Sequence, residues 1–126
     1  MADKQGNIFI GTWDEWIFVF NNHSKTCRSF PALPGGPGGG QCYRTILLDS
    51  ENRLWLGGNE GLFRISADEL LTNPSPHMQA VNAGDGSTWQ TVFALMEDRN
   101  KNVWVGSQTG IKVFSSVGKI TSYIHQ

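Results

Sequence analysis

The residues best equipped to hold another molecule are gathered in short turns: Trp13, Asp14 and Glu15, then Asn59 and Glu60, then Trp89 and Gln108. Indole faces stack on the apolar faces of sugar rings, while carboxylates and amides match hydroxyl groups. That combination points to non-covalent recognition of a carbohydrate. Trp13 leads the set, because an indole in a turn has no folding duty. The competing reading is plain: turn residues in any β protein are polar because they face water. Catalysis is the weaker chemistry. His23, His77 and His125 stand apart, with no nucleophile or acid spaced to join them. Asp14 and Glu60 could pair as in glycoside hydrolysis, but no neighbour is placed to separate their pKa values. Asp98, Asn100 and Asn102 begin like a calcium loop, yet Val103 and Thr109 stand where glycine and glutamate are required. A hairpin-closing aspartate is the better account, so no metal and no cofactor is expected. Cys27 and Cys42 lack metal-ligand spacing, which leaves two half-buried thiols or one disulfide. Pro31–Gly40 (PALPGGPGGG) lacks the Lys-Ser/Thr ending of a phosphate loop and reads as a linker.

The elements that must carry these turns are announced by a repeated phrase. DKQGNIFIGTWDEWIFVF begins at Asp3, DSENRLWLGGNEGLFRI at Asp49 and DRNKNVWVGSQTGIKVF at Asp98, so the leading aspartates lie 46 and 49 residues apart. A period of about 40–50 residues made of short strands marks a propeller blade. In the third copy the strands are A over Thr91–Met96, B over Asn102–Ser107, C over Ile111–Ser115 and D over Ile120–Ile124. Strand A is apolar enough to be buried on both faces. The second copy has A over Tyr43–Leu48, B over Arg53–Gly58, C over Leu62–Ser66 and D near Met78–Asn82. A helical start at Asp68–Leu71 is stopped by Pro74 and Pro76. The first copy has B over Asn7–Thr12, C over Trp16–Phe20 and D near Cys27–Phe30, with no strand A. The expected fold is therefore all-β: three antiparallel blades of a β-propeller, at about 1–34, 41–84 and 88–126, the first lacking its innermost strand. Phe9, Trp55 and Trp104 share one repeat position and should wedge between blades. Gly11, Gly57 and Gly106 share another, where backbones should approach closely.

Strand alternation sorts the loops. B–C turns and D–A connections fall on one rim, and all seven candidate residues belong to it. The rest of the composition excludes other classes. Net charge is −1 and the ten Lys and Arg are scattered singly, so no stripe exists to neutralise nucleic-acid phosphates. Apolar runs are too short to cross a membrane, and no secretory signal is present. A repeat that begins almost at Met1 suggests a segment of something longer.

The phrase D-x-x-(G/N)-x-(L/V)-W-(L/V/I)-G-(T/S/G)-x-x-G-(L/I) resembles the two-component regulator propeller repeat. In that family such blades form the periplasmic sensor region of hybrid histidine kinases, notably glycan-detecting ones of gut Bacteroidetes. The resemblance implies a non-catalytic, extracytoplasmic module that detects a ligand, with an oligosaccharide foremost, and signals to a kinase outside these 126 residues. A structural scaffold without a small-molecule ligand is the alternative, and a propeller lyase or glycosidase the third reading. The first copy departs from the pattern at Phe9, Glu15 and Trp16, and the second at Asn52 and Gly58.

Three blades cannot close a ring, since propellers have about four to eight. The terminal blades should expose apolar faces, lined by residues such as Phe9, Trp16, Trp104 and Phe114. A homodimer that completes six blades, the third blade of each chain meeting the first of the other, is the expected partner arrangement.

Overall fold

The computed structural model describes residues 1–11, 16–31, 43–58, 61–73, 76, 79–81, 91–108, 110–117 and 119–124. Three antiparallel sheets follow one another along the chain. The first holds β1 (Ile8–Gly11), β2 (Trp16–Asn21) and β3 (Thr26–Pro31). The second holds β4 (Tyr43–Leu48), β5 (Arg53–Gly58), β6 (Leu62–Ser66) and the short β7 (Gln79–Ala80). The third holds β8 (Val92–Glu97), β9 (Val103–Ser107), β10 (Gly110–Phe114) and β11 (Ile120–Ile124). Within each sheet the strands lie in chain order, as in an up-and-down blade. The inner strands β4 and β8 pack against each other across blades. Blade 1 is not wholly without its inner strand. Ala2 bridges Ile8, and Met1 exchanges hydrogen bonds with Phe9 (3.1 and 2.8 Å). These two residues occupy the places that Leu47 and Leu48 hold opposite Trp55 and Leu54 in blade 2.

The repeated aspartate builds the same turn three times. Asp49 Oδ1 accepts the amides of Glu51 and Arg53 at 3.0 and 2.9 Å, and Oδ2 accepts the Trp55 indole N–H at 2.8 Å. Asp98 does the same with Asn100, Asn102 and Trp104, at 2.9 Å each. Asp3 takes the amides of Gln5 and Asn7 at 2.9 Å, and Phe9 offers it no donor. Each turn closes through a residue in the left-handed region: Gly6 (φ 84°), Asn52 (62°) and Lys101 (64°). Only glycine adopts that region without strain, which is why glycine suits this place in the repeat.

Alternation then gives each blade two faces. Phe9 and Trp55, fully buried, point forward to the following blade, and Trp104 occupies the same position. Leu54, Leu56, Val103 and Val105 point back to the preceding one. The seam between blades 1 and 2 joins Phe9, Ile17, Val19 and Phe30 to Leu54, Leu56 and Ile65. The seam between blades 2 and 3 joins Trp55 and Leu62 to Val92, Val103, Val105 and Phe114, with the Trp55 and Phe114 rings 5.5 Å apart. Each fully buried side chain of this size contributes about 1.5–3 kcal/mol.

This polarity corrects the expected composition of the terminal faces. Phe9 and Phe114 are buried in the seams, not exposed. The outward faces carry Ile8, Ile10 and Phe18 on blade 1 and Met96, Ile111 and Tyr123 on blade 3; Trp16 and Trp104 are half-buried. Strand pairing fixes which residues share a face but not which seam that face meets, and here the forward face of blade 1 meets blade 2. Strand β8 also differs from the reading of burial on both faces, since Phe93 and Met96 are exposed. Gly57 does mark a close approach: a methyl there would collide with Val92 and lie 2.9 Å from Thr45. At Gly106 the nearest atoms, of Ala94, lie at ordinary contact distance, 3.7 Å and beyond.

Two side-chain braces join neighbouring blades. Helix α1 (Ala67–Thr72) ends as the prolines require, and Arg28 of blade 1 donates to the carbonyls of Leu70, Leu71 and Asn73 at its C-terminal end. Glu97 of blade 3 accepts the amide and hydroxyl of Ser50 in blade 2, at 3.0 and 2.8 Å.

Candidate functional site

The register puts the strand ends that flank the B–C turns and D–A connections on one rim, as the alternation requires. In blade 3, Val92 and Gly110 both lie opposite Ser107, and Gly110 also lies opposite Ile124. Gly11 opposite Ile17, Trp16 opposite Pro31, and Tyr43 opposite Gly58 put the corresponding ends of the other blades there. Of the seven candidate residues, Gln108 is described: it is exposed on this rim, its amide donating to the Thr91 carbonyl at 3.0 Å. Trp13, Asp14, Glu15, Asn59, Glu60 and Trp89 lie outside the described residues, as do His77, His125 and Cys42. His23 and Cys27 are exposed away from the rim.

The inner edge of this rim holds a pair that sequence reasoning missed. Both inner strands carry a bulge near their start, between Tyr43 and Thr45 in β4 and between Val92 and Ala94 in β8. An extra residue in one strand bends it and re-aims its side chain. The bulged residues are Arg44 and Phe93, each five positions before the repeat aspartate. Both are exposed, Phe93 by 53%, and the Arg44 guanidinium lies 5.9 Å from the Phe93 ring centre, a cation–π contact between blades. The signal in the sequence was their matched spacing from Asp49 and Asp98. Chemically, the pair offers a flat apolar face beside a fixed positive charge.

The opposite rim carries a crevice of about 630 Å³ between the aspartate turns, bordered by Lys4, Ser50, Asp68 and Glu97. Its carboxylates are already engaged. Asp3 and Asp49 close their turns, Asp68 accepts from the Asn52 amide group at 3.3 Å, and Glu97 holds Ser50. Four hydrogen bonds hold the Asp98 carboxyl down at about 2, the one from the Trp104 indole foremost. A smaller notch of about 50 Å³ between blades 2 and 3 is bordered by Arg53, Arg64 and Lys101. Burial, then the neighbouring Arg53, lowers the Arg64 pKa from its ordinary value. The Arg64 and Arg53 guanidinium carbons lie 5.0 and 5.9 Å from the Trp55 ring centre, where they cover the indole. Among the described residues, no group of His, Cys, Asp and Glu could hold a metal ion.

Comparison with known proteins agrees with this architecture. Residues 86–109 match the family model described as two component regulator propeller. No curated protein matches the chain. The extracellular domain of a protein described as a hybrid two component system of B. thetaiotaomicron is similar over 99% of this chain and 16% of its own, with TM-score 0.71 and 23% identity. The extracellular domain described for a one component system of the same organism gives TM-score 0.72 and 16% identity, over 100% of this chain and 16% of that one. A streptogramin B lyase gives TM-score 0.71 at 12% identity, over 98% and 39%. The chain thus spans 16% of the length of the extracellular domains it resembles. It is a run of β-propeller blades, of which residues 86–109 match the two component regulator propeller model.

Proposed function

We propose that the chain is a non-catalytic part of the periplasmic sensor region of a hybrid two component system. In this reading its B–C rim helps to hold an extracellular glycan, and binding is passed to a kinase. The repeat match at residues 86–109 and the likeness to extracellular sensor domains support the sensor assignment and its extracytoplasmic location. No described helix is long and apolar enough to cross a membrane, so anchoring falls to other parts of such a protein. The observation that carries the ligand reading is the exposed Arg44–Phe93 pair at the inner edge of the rim. An aromatic face beside a guanidinium suits a sugar ring that bears a carboxylate or sulfate. Gln108 adds an amide, and Trp13, Asp14, Glu15, Asn59, Glu60 and Trp89 follow or precede the strand ends of that rim in sequence.

Calorimetric titration with neutral and acidic oligosaccharides tests this reading. Binding is expected for at least one acidic oligosaccharide and should be lost in Trp13→Ala and in Phe93→Ala. Heat signals that are unchanged in both variants would remove the rim from the account. A structural scaffold is the second reading, favoured by the Arg28 and Glu97 braces between blades. Its signature is a folded protein that gives no heat with any oligosaccharide.

A further inference from the structure

Three repeat positions carry a positive charge in blade 2 or blade 3 that their counterparts lack. Arg53 stands where the other blades have Asn7 and Asn102, four residues after the aspartate. Its Nε donates to Asp49 at 2.9 Å, as the two asparagine amides donate to Asp3 and Asp98 at 2.8 and 3.1 Å. An asparagine closes this turn equally well, so the rest of the guanidinium is surplus to it. Arg64, opposite Trp55, corresponds by register to Val19 and Val113. Val19 is 1% exposed in the first seam, whereas Arg64 brings a charge to that place in the second. Lys101 takes the left-handed position that Gly6 fills without strain.

All three border the notch of about 50 Å³ between blades 2 and 3, with Ser115 and Ser116 beside them. Arg53 is partly neutralised, by Asp49 at 2.9 Å and Glu51 at 3.3 Å. Arg64 is not: half-buried over the Trp55 indole, it has no hydrogen-bond or ion-pair partner among the described residues. Burial, then the like charge of Arg53, disfavours its protonated form, against the weaker pull of Asp49. The Ser115 hydroxyl accepts the Lys119 amide at 2.9 Å and keeps its own proton to donate.

We propose that this notch is an oxyanion site that takes a sulfate or phosphate group, with Arg64 as its main contact. The guanidinium fork matches two oxygens of such a group, Lys101 supplies a point charge, and the serine hydroxyls supply neutral donors. The notch has room for one such group and none for a sugar ring, so a larger ligand would enter only by its ester. The site lies on the rim of the aspartate turns, opposite Arg44 and Phe93, and does not depend on a ligand there. An anion held in it would join Arg64 of blade 2 to Lys101 and Ser115 of blade 3.

Nuclear magnetic resonance titration with sodium sulfate and with sodium phosphate, against sodium chloride at matched ionic strength, tests the site. The Trp55 indole N–H, beneath both arginines, should shift and saturate. That of Trp104, which makes the same bond to its own aspartate, should stay in place. The informative variants restore residues that the repeat itself uses, and circular dichroism checks that they fold. Arg64→Val should weaken both anions at least about tenfold, and Lys101→Gly less. Sulfate and phosphate monoesters of glucose distinguish the source. Tighter binding than the free ions marks an ester-bearing ligand, no gain marks the free ion, and either supports the site. An indole signal that follows ionic strength alone, or that Trp104 shares, would overturn the proposal. So would an affinity left intact by both variants.

Discussion

Blades 2 and 3 share a forward face in design but not in circumstance. Trp55 and Trp104 occupy one repeat position and make the same hydrogen bond to an aspartate, at 2.8 and 2.9 Å. Trp55 is 1% exposed under the Phe114 ring, while Trp104 lies half-buried, stacked on Tyr123 of its own blade at 6.3 Å. Local chemistry places the indole, and the neighbouring blade determines how much it stabilises. A repeat motif therefore reports geometry faithfully and energy poorly.

The sharpest way to break this comparison is to truncate both indoles. Trp55→Ala should cost about 3–5 kcal/mol by urea denaturation, as for other buried tryptophans. Trp104→Ala should cost roughly 1 kcal/mol, since the half-buried indole loses chiefly its bond to Asp98 and its stack on Tyr123. Equal losses would mean that the seam between blades 2 and 3 adds nothing. The glycines give the next largest contrast. Gly57→Ala should destabilise by about 1–3 kcal/mol, because its methyl collides with Val92 and Thr45. Gly106→Ala should be near neutral in the same denaturation experiment.

Acid separates the turns more gently. The folded Asp98 carboxyl titrates at about 2, below its ordinary 3.8, so the folded state binds this proton less readily than the unfolded chain. Its stabilisation is complete above pH 3.8 and disappears as pH falls through about 2. Asp98→Asn should flatten that part of the stability–pH curve in chemical denaturation, and an unchanged slope would show that other carboxylates dominate. The smallest effect concerns the left-handed position. Lys101→Gly should raise stability by about 0.5–1 kcal/mol and Asn52→Gly by less, since asparagine tolerates that conformation better than lysine. Thermal melts of the two variants rank them.

The repeat made the fold legible almost strand for strand. The bounds of β4, β5, β6 and β11 follow directly from the alternation between turn residues, and the end of α1 follows from its prolines. The destination of each face was not legible. Alternation says that Phe9 and Val19 point the same way, but only the stacking of the blades says which way that is. The exposure of Phe93 was hidden for a related reason. After Thr91, VFALM has no polar residue to break the run, and a bulge changes side-chain direction without changing composition. The strand ends that lead toward the candidate turns were readable as a common rim, because strand direction depends only on strand count. Trp13, Asp14, Glu15, Asn59, Glu60 and Trp89 themselves lie outside the described residues. The Arg44–Phe93 pair at its edge needed coordinates, since 49 residues separate partners whose contact depends on how adjacent blades lie.

The grip of Arg28 on the last carbonyls of α1 reaches across the circumference of the array, far from its axis. A single guanidinium there ties the outermost strand of one sheet to an insertion in the next, so the periphery cannot loosen one element at a time. In native-state hydrogen exchange, the amides of β3 and of α1 should open in concert. Without that arginine the insertion would fray first, and blades that now breathe together would do so separately.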